Sequence, residues 1–195
     1  MAKQTMVFLM PDELLAVLRE ARNRSTRDWC MILLAYSHGL RASEVCGLKL
    51  ADVNVREGFV FAQRLKGSHA TTQQLMPHRG QPLLDELQAL RAWLKERPVD
   101  AGDAMFVSQK GGHLSATQFF RIFRDIAKAA GLPSHKQHPH VLKHSIASHL
   151  VRANVNLAKV KAHLGHAAIS STMKYVRVSD QEASRDAHAA LMRLF

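Results

Sequence analysis

HPHVLKHSIASHLVRANVNLAKVKAHLGHAAISSTMKY, residues 138–175, decides how this chain is read. It carries two separated histidines, His140 and His166, a cation at Lys143 three residues after the first, and Tyr175 nine residues after the second. Residues at i and i+3 share one face of a helix, so His140 and Lys143 can address a single ligand. Imidazoles, an ammonium and a phenol together suit phosphate chemistry. They equally suit surface histidines in a basic chain, with Tyr175 as a core aromatic whose hydroxyl stays wet. After Pro139 the apolar spacing predicts three helices, through VLKHSIASHLVRA, NLAKVKAHLG and SSTMKYVRV, and then a short helix in DQEASRDAHAALMRLF.

Working outward, 195 residues with 47% hydrophobic content suffice for one well-buried domain. A formal charge of +11 speaks about partners, and the commonest partner of such a surface is a polyanion, with nucleic acid first. No run reaches the roughly 18 apolar residues of a membrane span, and no basic segment followed by an apolar core opens the chain. The expectation is a cytoplasmic protein. Cys30 and Cys46 fall in apolar helical patterns, where free cysteine behaves as a small hydrophobe, so neither a disulfide nor a metal is expected.

In PDELLAVLREA, Pro11 suits the first helical position and Asp12 and Glu13 suit the positive end of the dipole. STRDWCMILLAYSHG predicts a second, largely buried helix that ends at Gly39. Arg41 follows at a rigid junction, with Ser43 expected to cap a short helix. From Val53 the pattern changes to short strands turned by Gly58 and by GSHA, with Lys66 at the second tip. Pro82 is expected to start a helix that buries Leu83, Leu87, Leu90 and Leu94. MFVSQKGG predicts a short strand entering a glycine turn. SATQFFRIFRDIAKAAG predicts a helix capped by Ser115, with Phe119, Ile122, Phe123 and Ile126 inward and Arg121, Arg124 and Lys128 on a cationic outer face.

Four ordered pieces, SHGLRASEVCGLKLADV, RLKGSHATTQQL, HPHVLKHSIASHL and LGHAAISSTMKY, closely resemble the catalytic domain of tyrosine recombinases, the phage integrase family. The likeness runs over roughly residues 8 to 180. HGLRASEVCGLKLADV and RLKGSHATT look most like the small fimbrial phase-variation recombinases. The resemblance implies an α+β, mostly helical fold with a small antiparallel β-sheet or hairpin on one edge. It implies a catalytic set of Arg41, Lys66, His140, Lys143, His166 and Tyr175, supported by Glu44. At Lys143 the chain departs from the family, whose second arginine makes a planar two-pronged contact with phosphate that lysine cannot make.

A metal-free strand transfer needs cations on the nonbridging oxygens and an acid for the leaving oxygen. Arg41, Lys143 and His166 are expected to hold the phosphate, Lys66 to protonate the departing 5′ oxygen, and His140 to orient the phosphate and help manage the tyrosine proton. Tyr175 is expected to form a 3′-phosphotyrosyl link that conserves bond energy, so neither metal nor ATP is needed. Arg64, Arg121 and Arg124 are expected to contact DNA. Two rivals stand beside this reading. One is a zinc site on His140 and His144, which are spaced i, i+4 but lack the glutamate of an HExxH motif. The other is an accessory DNA-binding protein whose chemistry Lys143 has weakened. Only about ten residues precede the first helix, as in a natural minimal recombinase or in a fragment of a longer one, and residues 1–195 are expected to form a single catalytic domain without an N-terminal clamping domain. The resemblance further implies a homotetramer on double-stranded DNA, monomeric in solution, with the tail from about residue 180 exchanged between protomers.

Overall fold

The computed structural model describes residues 6–65, 67–108, 111–176 and 180–194. Lys66 and the Gln109–Lys110 pair of the glycine turn lie outside the described residues.

Helix α1 (Pro11–Arg24) starts where proline and the two acids place it, and Glu13 Oε2 accepts from the Met10 amide at 2.7 Å. It lays Leu14, Val17, Leu18 and Ala21 on α2 (Thr26–Ser37), which Ser25 caps by accepting from Asp28 N at 3.1 Å. α2 is the central rod: Trp29, Cys30, Met31, Ile32, Leu33 and Leu34 are all buried, and α1, α3, α4 and α6 pack around it. Both cysteines are free and buried. Helix α3 (Ala42–Cys46) starts one residue earlier than expected. Its cap is Arg41, because Glu44 reaches back to that amide, and Ser43 lies inside the helix.

Strands β1 (Val53–Asn54), β2 (Phe59–Ala62) and β3 (Thr71–Gln74) form an antiparallel sheet in the order β1-β2-β3, with the short strands expected on either side of Gly58 and GSHA. Proline at 82 begins only a 3-10 turn (Pro82–Leu84). α4 (Glu86–Glu96) is then started by Asp85, whose carboxylate accepts from Gln88 N at 2.8 Å. Its buried residues are Glu86, Ala89, Leu90 and Trp93, while Leu83 and Leu87 are partly buried and Leu94 is exposed. Residues 104–107 are buried as expected but make only isolated bridges, Lys49 to Ala104 and Val107 to His113, instead of a strand. α5 (Ala116–Ala129) has the expected Ser115 cap and the expected inward residues.

The deciding stretch forms α6 (His140–Arg152), α7 (Leu157–Leu164) and α8 (Ser170–Met173), and α9 (Asp180–Leu194) follows. α8 stops earlier than the apolar spacing predicts, so Tyr175 lies in the turn beyond it. There its ring packs on a second small core of Ile146, Ala147, Val160 and Leu164, and this tertiary contact overrides helix continuation. Two glycines make the close approaches possible. Gly39, at φ +59°, ends α2 where a Cβ would lie 2.6 Å from Leu164 Cδ2. Gly165, at φ +66°, ends α7 where a Cβ would lie 2.7 Å from His69 O.

Candidate active site

Arg41, His140, Lys143, His166 and Tyr175 come from α3, α6 and the turns around α8, and all line one open cavity of about 470 Å³. Of the six expected catalytic residues, Lys66 alone lies outside the described residues. Its chain neighbours are at the cavity: Arg41 Nη1 donates to Leu65 O at 3.3 Å, and Arg41 Nη1 and Nη2 both reach Ser68 Oγ at 3.4 Å. The β2–β3 loop is also stitched to the α7–α8 turn, by His69 N to Gly165 O at 3.0 Å and a bridge between Ser68 and His166.

Arg41 is aimed by Glu44. Oε1 of Glu44 accepts from Arg41 Nη1 at 2.6 Å and from Leu65 N at 3.2 Å, while Oε2 accepts from Arg41 N at 2.8 Å and from Arg64 Nη1 at 3.4 Å. Burial alone would raise the Glu44 pKa. The Arg41 and Leu65 hydrogen bonds and the Lys143 charge outweigh it and hold the carboxyl below its ordinary value. Arg64 corrects the expectation of a DNA contact. It is buried at 4% exposure, and its two Nη nitrogens donate to carbonyls: Gly39 O at 2.9 Å, His38 O at 2.7 Å and His163 O at 3.2 Å. It ties the end of α2 to the end of α7 in the interior.

Lys143 is buried too, at 7% exposure, and Nζ donates to Gly39 O at 2.9 Å and Leu164 O at 3.3 Å. An ammonium has three donors, so one remains for a ligand. Burial, with Arg64 and Arg41 adding to it against the pull of Glu44, lowers its pKa to about 7. His166 Nδ1 lies 3.0 Å from the buried Thr172 Oγ1. Burial and then the charges of Lys143, Arg41, Arg64 and Lys174 lower its pKa to about 4, so the ring is neutral at neutral pH. When Thr172 donates to Nδ1, the opposite nitrogen carries the proton and can donate to a phosphate oxygen.

Burial raises the Tyr175 pKa to about 12, with Arg41 opposing. The partner of its hydroxyl is His144 Nδ1, at 2.9 Å. That nitrogen is thereby engaged with the phenol, and among the described residues no group of three or more His, Cys, Asp or Glu side chains is placed to hold a metal. Sequence alone offers His144 only as a metal ligand. Its placement one turn after His140, on the same helix face, was the available signal for a role in this cavity. For Thr172 and Ser68 no local pattern signals a role.

The phage integrase family profile matches residues 7–182. The chain belongs to the phage integrase family. Among curated proteins this integrase-family chain is similar to the type 1 fimbriae regulatory protein FimB of Escherichia coli K12, 33% identical over 198 residues that cover 94% of each chain. It is similar also to the tyrosine recombinase XerC of Corynebacterium efficiens, 36% identical over 83% of this chain, which spans about half (51%) of that relative. Among solved structures, the crystal structure of XerA recombinase superposes with a TM-score of 0.77 at 25% identity, over 96% of this chain and 66% of the other. The resemblance to fimbrial recombinases and the mostly helical fold with a three-stranded edge sheet are thus both borne out. The chain is a tyrosine-type site-specific recombinase.

On this recombinase, Arg121 and Arg124 are exposed on α5. With Thr117, Phe120 and His140 they line a second cleft of about 520 Å³, which meets the first cavity at His140. Among the described residues no helix is long and apolar enough to cross a membrane.

Proposed function

We propose that this recombinase cuts and rejoins double-stranded DNA through a 3′-phosphotyrosyl link formed by Tyr175. The convergence of Arg41, His140, Lys143, His166 and Tyr175 on one cavity carries the reading. Arg41, held by Glu44 at the cavity lining, and the one remaining donor of Lys143 neutralise the nonbridging oxygens of the scissile phosphate. His166 adds a neutral donor and His140 orients the phosphate at the mouth. Lys66 protonates the leaving 5′ oxygen, which suits the position of its neighbours Leu65 and Ser68 beside Arg41. The same groups act in reverse when a 5′-hydroxyl of another strand attacks the phosphotyrosyl bond, so no external energy source enters.

Duplex DNA reaches the cavity along the α5 cleft, where Arg121 and Arg124 contact phosphates and contribute salt-sensitive affinity. Residues 1–195 act as one catalytic domain in the cytoplasm. On DNA four copies assemble, and α9, with Leu191 and Met192 exposed at 55% and 69%, is the segment exchanged between them, while the free chain is monomeric.

A nicked duplex carrying the sequence that the protein selects from a random pool tests this reading. The wild type should give a denaturant-resistant protein–DNA adduct, unaffected by EDTA, that Tyr175→Phe does not form. An undiminished adduct in Tyr175→Phe would overturn the assignment, and binding without any adduct would leave an accessory protein.

A further inference from the structure

The sequence reading expects His140 to help manage the tyrosine proton, yet the side chain hydrogen-bonded to the Tyr175 phenol is His144. Its Nδ1 lies 2.9 Å from the Tyr175 hydroxyl, and the two rings are 5.9 Å apart at 46°. A second pair of the same kind shows what is different here. Tyr36 lies 2.8 Å from His149 Nδ1, but His149 Nε2 is tied 2.8 Å from Leu9 O, which makes that pair a closed structural link. Among the described residues His144 Nε2 has no hydrogen-bond partner, and the ring lines the open cavity.

The direction of the bond follows from the two groups. Tyr175, with its pKa raised to about 12, keeps its proton at neutral pH and donates, so Nδ1 accepts. Burial first, then the neighbouring His140, His138, Lys143 and Lys174, keep His144 below the usual imidazole range, so the accepting lone pair is available. Among the described residues those four groups act on its charge and Tyr175 bonds to it, from α6 and its approach on one side and from the α8 turn on the other, while Arg41 and His166 line the same cavity.

We propose that His144 is a catalytic residue of this recombinase, the base that takes the Tyr175 proton as the phenol oxygen attacks phosphorus. The inference rests on the phosphotyrosyl reading above. In cleavage the Tyr175 Oη–P bond forms, the P–O5′ bond breaks, the phenol proton passes to His144 Nδ1, and the leaving 5′ oxygen takes its proton from a separate acid. In resealing, the incoming 5′-hydroxyl loses its proton to that acid's conjugate base, the Oη–P bond breaks, and His144 returns the proton to Oη.

The test is single-turnover adduct formation on the nicked duplex by the wild type, His144→Asn and His144→Ala, with DNA affinity and melting followed in parallel. An asparagine amide oxygen can still accept from the phenol but cannot hold a proton near neutral pH. Both variants should be slower by about 100-fold or more, the usual contribution of a positioned base, with DNA affinity unchanged. Added imidazole should restore part of the His144→Ala rate. The chain has only two tyrosines, so replacing both with fluorotyrosine, whose phenol is more acidic, should speed His144→Asn more than the wild type. If His144→Ala melts early, His144→Asn carries the comparison.

Wild-type speed in His144→Asn would overturn the proposal and reduce His144 to a positioning contact. Slow variants that neither imidazole nor fluorination helps would overturn it equally. Failure of all forms, wild type included, to give an adduct would instead sink the strand-transfer reading on which the proposal rests.

Discussion

Arg64 Nη1 and Lys143 Nζ donate to the same carbonyl oxygen, that of Gly39, each at 2.9 Å. Two buried cations therefore converge on the end of α2, and the Arg64 charge makes that of Lys143 harder to keep. Burial is the largest influence on both. For Lys143 the charge of Arg64 comes next, and together they bring an amine of ordinary value 10.5 down to about 7. Arg64, whose second nitrogen also holds His38 O and His163 O, ties three segments of chain in the interior.

Arg64→Ala is expected to act on stability. It strips partners from His38 O, His163 O and a Glu44 oxygen in the interior, and removing one member of a buried ionic cluster typically costs roughly 3–5 kcal/mol. Urea unfolding should register a loss of that order. Arg121→Ala, on the exposed face of α5, should leave unfolding unchanged and weaken DNA binding with a salt slope lower by about one. The opposite pattern would return Arg64 to the DNA interface.

For Lys143 the sign runs two ways. Its folded pKa of about 7 lies below its ordinary 10.5, so between those values the unfolded chain holds a proton that the folded chain has lost, and stability rises with pH across that window. The ammonium needed by the phosphate is lost over the same range. Cleavage at limiting DNA should therefore fall as pH climbs past about 7 in the wild type and stay level to pH 9 in Lys143→Arg, whose guanidinium keeps its charge. Lys143→Ala should lose roughly a hundredfold in rate with little change in DNA affinity. A decline of equal size in Lys143→Arg would assign the pH limb to another group.

Glu44 should govern the acid limb of stability. Its folded pKa is depressed, so its contribution is present above the unfolded value and disappears as pH falls through the folded one. Glu44→Gln should be less stable at pH 7, less dependent on pH below 4.5, and slower to cleave because Arg41 loses its carboxylate. Melting curves from pH 3 to 7 measure this, and parallel curves for both forms would remove Glu44 from that role.

Lys66→Ala should cut ordinary DNA slowly and recover on a substrate with sulfur at the 5′ bridging position, since a thiolate leaves without an acid. No recovery would make Lys66 a DNA contact.

The chain's own pattern determined most of the elements, because caps and turns are written locally. Pro11, Ser25, Ser115 and Gly58 act on amides or torsions within a few residues of themselves, and the apolar faces of α1 and α5 repeat at helical spacing. Motif order likewise groups Arg41, His140, Lys143, His166 and Tyr175, and the fold places them around one cavity. What local pattern could not specify was the direction of a side chain whose partners are distant in sequence. Arg64 looks like any hairpin arginine until His38 and His163 close over it, 26 and 99 residues away. Tyr175 continues a helical spacing until the small core around Ile146 takes its ring, and only that packing brings its hydroxyl to His144, 31 residues earlier. Burial does the rest: the same lysine that sequence reads as a simple cation becomes, once its solvent is replaced by Gly39 O and Leu164 O beside another cation, a group that titrates near neutrality.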